Sequence, residues 1–218
     1  MFLRKSLFIT HIIFDLCTME SPKKVMLGLK LPTDPRWVNI VEMNIEEILT
    51  DHAYCEQKAA SNAISTIIRF NEYTDVVEEM TRISIEEMQH FGMVHQELQK
   101  RNLTLGRERQ DPYVHDLAGF INKGGSKEEY FVERMLFSAM VEARSCERFR
   151  LLSENISDPE LREFYRELMA SEAEHYTTFL GFARKYCGKV DVEKRWQEFL
   201  TFESSLMEKY GQKHTMHG

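Results

Sequence analysis

The chain has 218 residues, 43% of them hydrophobic and 29% charged, which is enough apolar material for one substantial core and excludes disorder as a description of the whole. Five prolines and ten glycines leave few interruptions, and abundant Glu, Lys, Arg, Leu and Met favour long helices over strands. A formal charge of −7 argues against a protein that coats nucleic acid through bulk electrostatics, yet leaves room for a local basic strip. The four cysteines, Cys17, Cys55, Cys146 and Cys187, form no Cys-x-x-Cys pair and read as those of a reduced, cytoplasmic protein.

Residues 1–25 carry an apolar run, Leu7 to Cys17, behind Arg4 and Lys5. The run holds His11 and Asp15, is too short to span a bilayer and lacks a small-residue cleavage site. Residues 1–25 are therefore expected to be an extension outside the core, an upstream start ahead of Met26 being one origin. Residues 26–218 are expected to form one all-α domain with no membrane segment.

Helix start and stop signals bound four long segments. The first runs from about Asn44 to Phe70 and opens on Asn44-x-x-Glu47; the second runs from about Asp75 to Arg101, with Asp75 ahead of Glu78. The third follows Gly124-Gly125 with Ser126-x-x-Glu129 and reaches about Asn155; the fourth starts at Ser157 or Asp158 with Pro159 in its first turn and ends near Cys187-Gly188. A weaker fifth helix is expected from Val192 to Tyr210. Short links within each pair force two antiparallel hairpins, and the long stretch from Arg101 to Ser126 can run back along a helix of roughly 40 Å. Two hairpins joined by one long crossover, with a fifth C-terminal helix, is the ferritin-like form of the four-helix bundle.

Polar residues interrupt the apolar stripes of these helices at one level. The second stripe reads Val76, Met80, Ile83, Glu87, His90, Val94, Leu98, and the fourth Leu161, Tyr165, Leu168, Glu172, His175, Phe179. Each carries Glu-x-x-His where apolar residues are expected. The first and third stripes each carry one central glutamate, Glu56 and Glu142. Any one of the six residues alone is better explained as a solvated stripe edge. Together they recur in phase: Glu56 and Glu87 are 31 positions apart, Glu142 and Glu172 are 30, and each pair straddles a hairpin turn. Four carboxylates aimed into one core require compensation, which two divalent metals supply by charge, with two imidazoles completing the set. Oxygen and imidazole donors suit iron or manganese better than a thiolate zinc site.

Other residues read more simply. His52, one turn before Glu56, is either a support for that glutamate or, more simply, a core-edge histidine with an ordinary hydrogen bond. Cys146 reads as a small buried hydrophobe, Tyr54, Tyr165 and Tyr176 as packing residues, and His214 and His217 as part of a frayed tail.

Several words flank the interrupted stripes: Leu31-Pro32-Thr33-Asp34-Pro35-Arg36-Trp37-Val38, Asp51-His52-Ala53-x-x-Glu56-x-Lys58-Ala59-Ala60, Glu87-x-x-His90, Glu142-Ala143-Arg144 and Ser171-Glu172-Ala173-Glu174-His175-Tyr176. In these, over about Met26 to Tyr210, the chain resembles the bacterial tRNA hydroxylases that act on 2-methylthio-N6-isopentenyladenosine beside the anticodon. The resemblance implies an O2-dependent, non-haem di-iron monooxygenase that hydroxylates the isopentenyl side chain of that nucleoside. It places the ligands of two iron ions on Glu56, Glu87, His90, Glu142, Glu172 and His175. With neither a Cys-x-x-Cys site nor a dinucleotide fingerprint in the chain, a ferredoxin and its reductase are the expected electron donors.

The acidic balance sits uneasily with a tRNA substrate, and the crossover eases it. Residues 100–127 carry a net +3, leaving −10 on the remainder, so Arg101, Arg107, Arg109 and Lys123 are candidate phosphate contacts. On charge alone an ordinary solvated loop explains them equally well. The alternatives at the level of function are another ferritin-like di-iron oxidase or hydroxylase acting on a small molecule, and a ferroxidase or iron-storage protein. The long crossover and the fifth helix speak against storage.

Overall fold

The computed structural model describes residues 26–217; the extension expected at residues 1–25 lies outside the described residues. After a turn of 3-10 helix at Met26–Gly28 come α1 (Trp37–Met43), α2 (Ile45–Arg69), α3 (Thr74–Lys100), α4 (Pro112–Gly119), α5 (Lys127–Asn155), α6 (Pro159–Lys185) and α7 (Val192–Tyr210). The chain is all-helical among the described residues, as its composition implies. The four long helices and the fifth match the expected segments to within about two residues, and α2 packs with α3 and α5 with α6 as two hairpins.

Two of the expected caps form. Ser126 Oγ accepts from Glu129 N (3.2 Å) while Glu129 Oε2 accepts from Ser126 N (2.8 Å), closing the capping box of α5. Gly125 has φ of +96° and a Cβ there would meet Glu129 Oε2, so the returning carboxylate requires a glycine. Asp158 caps α6 by accepting from Glu160 N and Leu161 N.

The other two caps do not form. Asn44 makes no side-chain cap; its Nδ2 donates to Ile40 O (2.7 Å), because α1 runs up to Met43 and makes Asn44 its C-terminal residue. Asp75 lies inside the first turn of α3 and accepts from Lys185 Nζ and Tyr186 OH, both at 2.6 Å, tying the start of α3 to the end of α6. The expected crossover contains one ordered helix, α4, capped by Asp111 Oδ1 accepting from Val114 N (3.1 Å), with Pro112 at its first position.

Two apolar clusters fill the bundle. One gathers Phe70, Val76, Met80, Phe131, Met135 and Phe179 with Trp196 and Phe199 of α7; the other gathers Ile48, Leu49, Val94, Phe149, Leu161 and Tyr165 with Trp37 of α1. Along each of the four long helices the predicted ligands fall between residues of the first cluster and residues of the second. The level of these six residues is therefore flanked by hydrocarbon towards both ends of the bundle.

A buried ionic network holds the chain's opening words and its end to α5. Arg144, fully buried, meets Glu147 (2.9 Å) and Glu203 (2.7 Å), and Thr33 Oγ1 donates to Glu147 Oε2 (2.6 Å). Arg148 lies 4.2 Å from the Trp37 ring centroid and donates to the carbonyls of Thr215 (2.7 Å) and Gly211 (3.0 Å). Met216 N donates to Asp51 Oδ2 (2.6 Å), and Trp37 Nε1 to Lys213 O (2.9 Å). The expectation of a frayed tail is therefore corrected: Thr215, Met216 and His217 are buried, and only His214 of the two tail histidines is exposed. Short, polar and aperiodic, the tail carries no sequence signal of burial; Trp37, Asp51, Asp111 and Arg148, which hold it, lie far away in the chain.

Arg144→Ala would leave Glu147 and Glu203 buried without their cation. Chemical denaturation is expected to show a loss of about 3–5 kcal/mol. A loss under about 1 kcal/mol would mean that the network relaxes to solvent.

Candidate metal centre

The six stripe-interrupting residues converge. Glu56 on α2, Glu87 and His90 on α3, Glu142 on α5, and Glu172 and His175 on α6 are all buried, none more than 6% exposed. Their donor atoms form two overlapping groups, Glu56, Glu87, His90 and Glu172 in one and Glu87, Glu142, Glu172 and His175 in the other, with the atoms of each group within 4.8 Å of one another. Glu87 and Glu172, the glutamates of the two Glu-x-x-His words, belong to both. The arrangement has room for two cations sharing two carboxylates. The i, i+3 spacing explains it: one turn apart on a helix, the Glu and His of each word face the same point.

The electrostatics are those of several carboxylates crowded together and buried. Burial pushes Glu56 and Glu172 well above the ordinary carboxylate range, and their carboxylate neighbours push the same way. Glu142 is raised to about 8, again by burial first. Glu87 is also pushed up by burial, but contacts with His175 and His90 outweigh this and leave it below the usual range. His175 Nδ1 and Glu87 Oε1 stand 3.0 Å apart, yet neither makes a hydrogen bond, and Glu172 Oε1 is likewise buried without a partner. Donor atoms that converge without pairing are what the ligands of a shared cation look like. This donor set, rich in carboxylate with two imidazoles and no thiolate, fits a pair of hard-to-borderline divalent ions.

Two flanking residues orient the donors. His52 is fully buried and its Nε2 lies 2.6 Å from Glu56 Oε1; burial lowers its pKa to about 3, so the ring that pairs with Glu56 is neutral. His52 is thus buried and bonded to a candidate ligand rather than placed at the core edge. Its ring stacks on Tyr165 (centroids 5.6 Å apart) and packs on Phe149 (4.9 Å), which fixes its plane. Glu86 sits 3.3 Å from His175 Nε2, the nitrogen turned away from the cluster, and accepts from Ser171 Oγ (3.2 Å). Contact with His175, despite partial burial, lowers Glu86 to about 2, so the carboxylate is available to hold the imidazole. Glu86 escaped the sequence reading because it lies off the α3 stripe. Its partner stands on α6, and no spacing within α3 announces it.

Cys146 is fully buried and Tyr165 nearly so, as expected of packing residues. Of the candidate phosphate contacts, Arg101 is engaged inside the protein by Glu97 (2.6 Å) and Asp158 (2.5 Å). Arg107 and Lys123 are exposed and Arg109 is half-buried; among the described residues none of the three has an ion-pair partner. The strand of chain bearing Arg107 and Arg109 lies along α2: Gly106 O accepts from Tyr54 OH (3.1 Å), and Lys58 pairs with Glu108 (2.9 Å). No helix of the described residues is long and apolar enough to cross a membrane.

Comparison with known proteins gives a consistent set of likenesses. A solved structure described as Protein 43 with aldehyde deformylating oxygenase activity from Synechococcus superposes with a TM-score of 0.77 at 31% identity, covering 87% of this chain and 95% of that one. The tRNA 2-(methylsulfanyl)-N(6)-isopentenyladenosine(37) hydroxylase of Pseudomonas putida is 33% identical over 166 residues, 76% of this chain and 80% of its own length. The enzyme of the same name from Salmonella typhimurium is 26% identical over 238 aligned positions, covering 84% of each chain. The family described as tRNA-(MS[2]IO[6]A)-hydroxylase (MiaE) matches residues 19–218, beginning a few residues ahead of the expected core. With that match over nearly its whole length, a carboxylate-rich centre at mid-bundle and a relative above 30% identity, the chain belongs to the MiaE family of tRNA hydroxylases.

Proposed function

We propose that this chain is an O2-dependent, non-haem di-iron monooxygenase that hydroxylates the isopentenyl side chain of 2-methylthio-N6-isopentenyladenosine in tRNA. The observation that carries the chemistry is the convergence of four buried carboxylates and two imidazoles, among which Glu87 Oε1, Glu172 Oε1 and His175 Nδ1 have no hydrogen-bond partner. Family membership carries the substrate. Glu56, Glu87, His90, Glu142, Glu172 and His175 would hold two iron ions, with Glu87 and Glu172 common to both. When bound, the iron pair would supply the reductive activation of O2 that attack on an unactivated C–H bond requires.

The residues of the chain do the positioning. His52 holds Glu56 through Nε2, and Glu86 holds His175 through the nitrogen facing away from the centre. The aromatic wall of Phe149, Phe164 and Tyr165 around His52 excludes water on one side of the centre, which favours hydroxylation of substrate over unproductive loss of oxidant. The balance of the reaction is one C–H bond and O2 converted to one C–OH and one water, with two electrons and two protons from outside. The chain offers no Cys-x-x-Cys redox site, so a ferredoxin and its reductase are the donors expected in a cytoplasmic setting.

Arg107, Arg109 and Lys123 would meet tRNA phosphates. A positive patch on an acidic body orients the substrate without binding nucleic acid indiscriminately. Arg101, held by Glu97 and Asp158, would act through the shape of the crossover's start. Storage of iron is disfavoured because α4 and α7 pack on the bundle, and because both curated relatives are hydroxylases by name.

The test is nucleoside mass spectrometry of tRNA bearing the isopentenylated nucleoside after incubation with iron-loaded protein, reductant and O2. The hydroxylated nucleoside is expected from the wild type. Glu142→Ala is expected to keep its helical circular dichroism and to lose at least about a hundredfold in turnover, as removal of a metal ligand should. Iron-dependent oxygen consumption with no change in the tRNA would favour a small-molecule substrate.

Replacing Arg107, Arg109 and Lys123 together by Ala is expected to weaken tRNA binding at low salt. Each lost contact should reduce the slope of log K against log salt by roughly 0.7–0.9. An unchanged affinity and slope would move recognition to another surface.

A further inference from the structure

Away from the bundle centre, three donors of different chemistry meet where the chain's end folds back. Cys55 on α2, Asp111 at the start of α4 and His217 in the tail bring Sγ, a carboxylate oxygen and a ring nitrogen within 4.8 Å of one another. His217 Nδ1 lies 3.6 Å from Cys55 Sγ and 3.1 Å from Asp111 Oδ2. Asp111 and His217 are buried, and Cys55 is half-buried. We propose that these three residues form a second metal site, distinct from the carboxylate centre, that takes one divalent ion of the zinc class through a thiolate, an imidazole and a carboxylate.

The geometry fits such an ion. With metal–sulfur bonds of about 2.3 Å and metal–nitrogen bonds of about 2.0–2.1 Å, tetrahedral ligation sets sulfur and nitrogen about 3.6 Å apart and nitrogen and oxygen about 3.3 Å apart. Nδ1 faces a sulfur and a carboxylate oxygen at once, and a cation would draw all three donors together once the thiol gives up its proton. The remaining atoms are arranged as outer partners of a ligand set. His217 Nε2 lies 3.0 Å from Ser145 Oγ, which can accept from Nε2–H when Nδ1 holds the metal. Asp111 Oδ1 is occupied by Val114 N, leaving Oδ2 to face the site. Asp51, which accepts from Met216 N, pins the residue next to His217 and adds negative charge nearby.

The site would clasp three distant stretches of chain: α2 one residue before Glu56, the start of α4, and the tail. Ser145 stands one turn after Glu142 on α5, so the clasp also borders the second ligand helix. Three protein donors leave a fourth position for water on the side where Cys55 is half-exposed. None of this depends on iron or tRNA.

The test uses the full-length protein loaded anaerobically with Fe2+ and then titrated with Co2+, which nitrogen and sulfur sites prefer to Fe2+. None of the six bundle donors is a thiolate, so a thiolate-to-cobalt charge-transfer band in the near ultraviolet that is lost in Cys55→Ser reports this cluster. The band is expected in the wild type and in Glu142→Ala, and is expected to vanish in Cys55→Ser and His217→Ala. A wild type without the band, or a band that persists in Cys55→Ser, would overturn the proposal and leave the cluster a hydrogen-bonded latch. If His217→Ala proves misfolded by circular dichroism, alkylation of the wild type decides. Zn2+ is expected to slow iodoacetamide labelling of Cys55 by about tenfold or more; an unchanged rate would contradict the site.

Discussion

Burying four carboxylates at one level of a helical bundle is the constraint on which the rest of this structure depends. Unpaired and charged, each such group would cost several kcal/mol, and their mutual repulsion adds to that. The protein surrounds them with two imidazoles and leaves several donor atoms without protein partners, an arrangement compatible with a pair of bound metal ions. Everything nearby serves to hold the donors still: a neutral His52 against Glu56, Glu86 behind His175, and hydrocarbon at both ends of the centre. The site and the fold share one cause, since the same four stripes that build the core are interrupted at the same height.

The words by which the chain resembles its family acquire physical meanings in the structure. In the Asp51 to Ala60 word, Asp51 anchors the tail, His52 and Glu56 face the centre, and Lys58 reaches the crossover at Glu108. Thr33 and Trp37 of the opening word dock on Arg144, Glu147 and Arg148. Only part of each word concerns chemistry. The remainder fastens loops and tail to the outside of the helices that carry the six central residues, which keeps those residues in register.

The long helices and all six central residues were legible in the sequence because their signal is periodic: apolar steps of three and four, interrupted in phase. What was not legible depends on partners far apart in the chain. α1 is seven residues long and too short for periodicity to declare it, and its presence turns Asn44 from an expected N-cap into the end of the preceding helix. Asp75 looked like a cap and is instead a tie to Lys185 and Tyr186. The tail shows the limit most clearly. His217 sits in a polar terminal stretch, and nothing local foretells that Arg148, Asp51 and Ser145 will draw it in.

The central claim is that the buried carboxylates exist to hold two metal ions together, and Mössbauer spectroscopy of protein loaded anaerobically with isotopically enriched iron tests it most directly. The account predicts two iron ions per chain in oxygen and nitrogen environments, converting on exposure to O2 into a spin-coupled diferric pair with no paramagnetic resonance signal. Saturation at a single iron, giving the signal of an isolated ferric ion after oxidation, would contradict it.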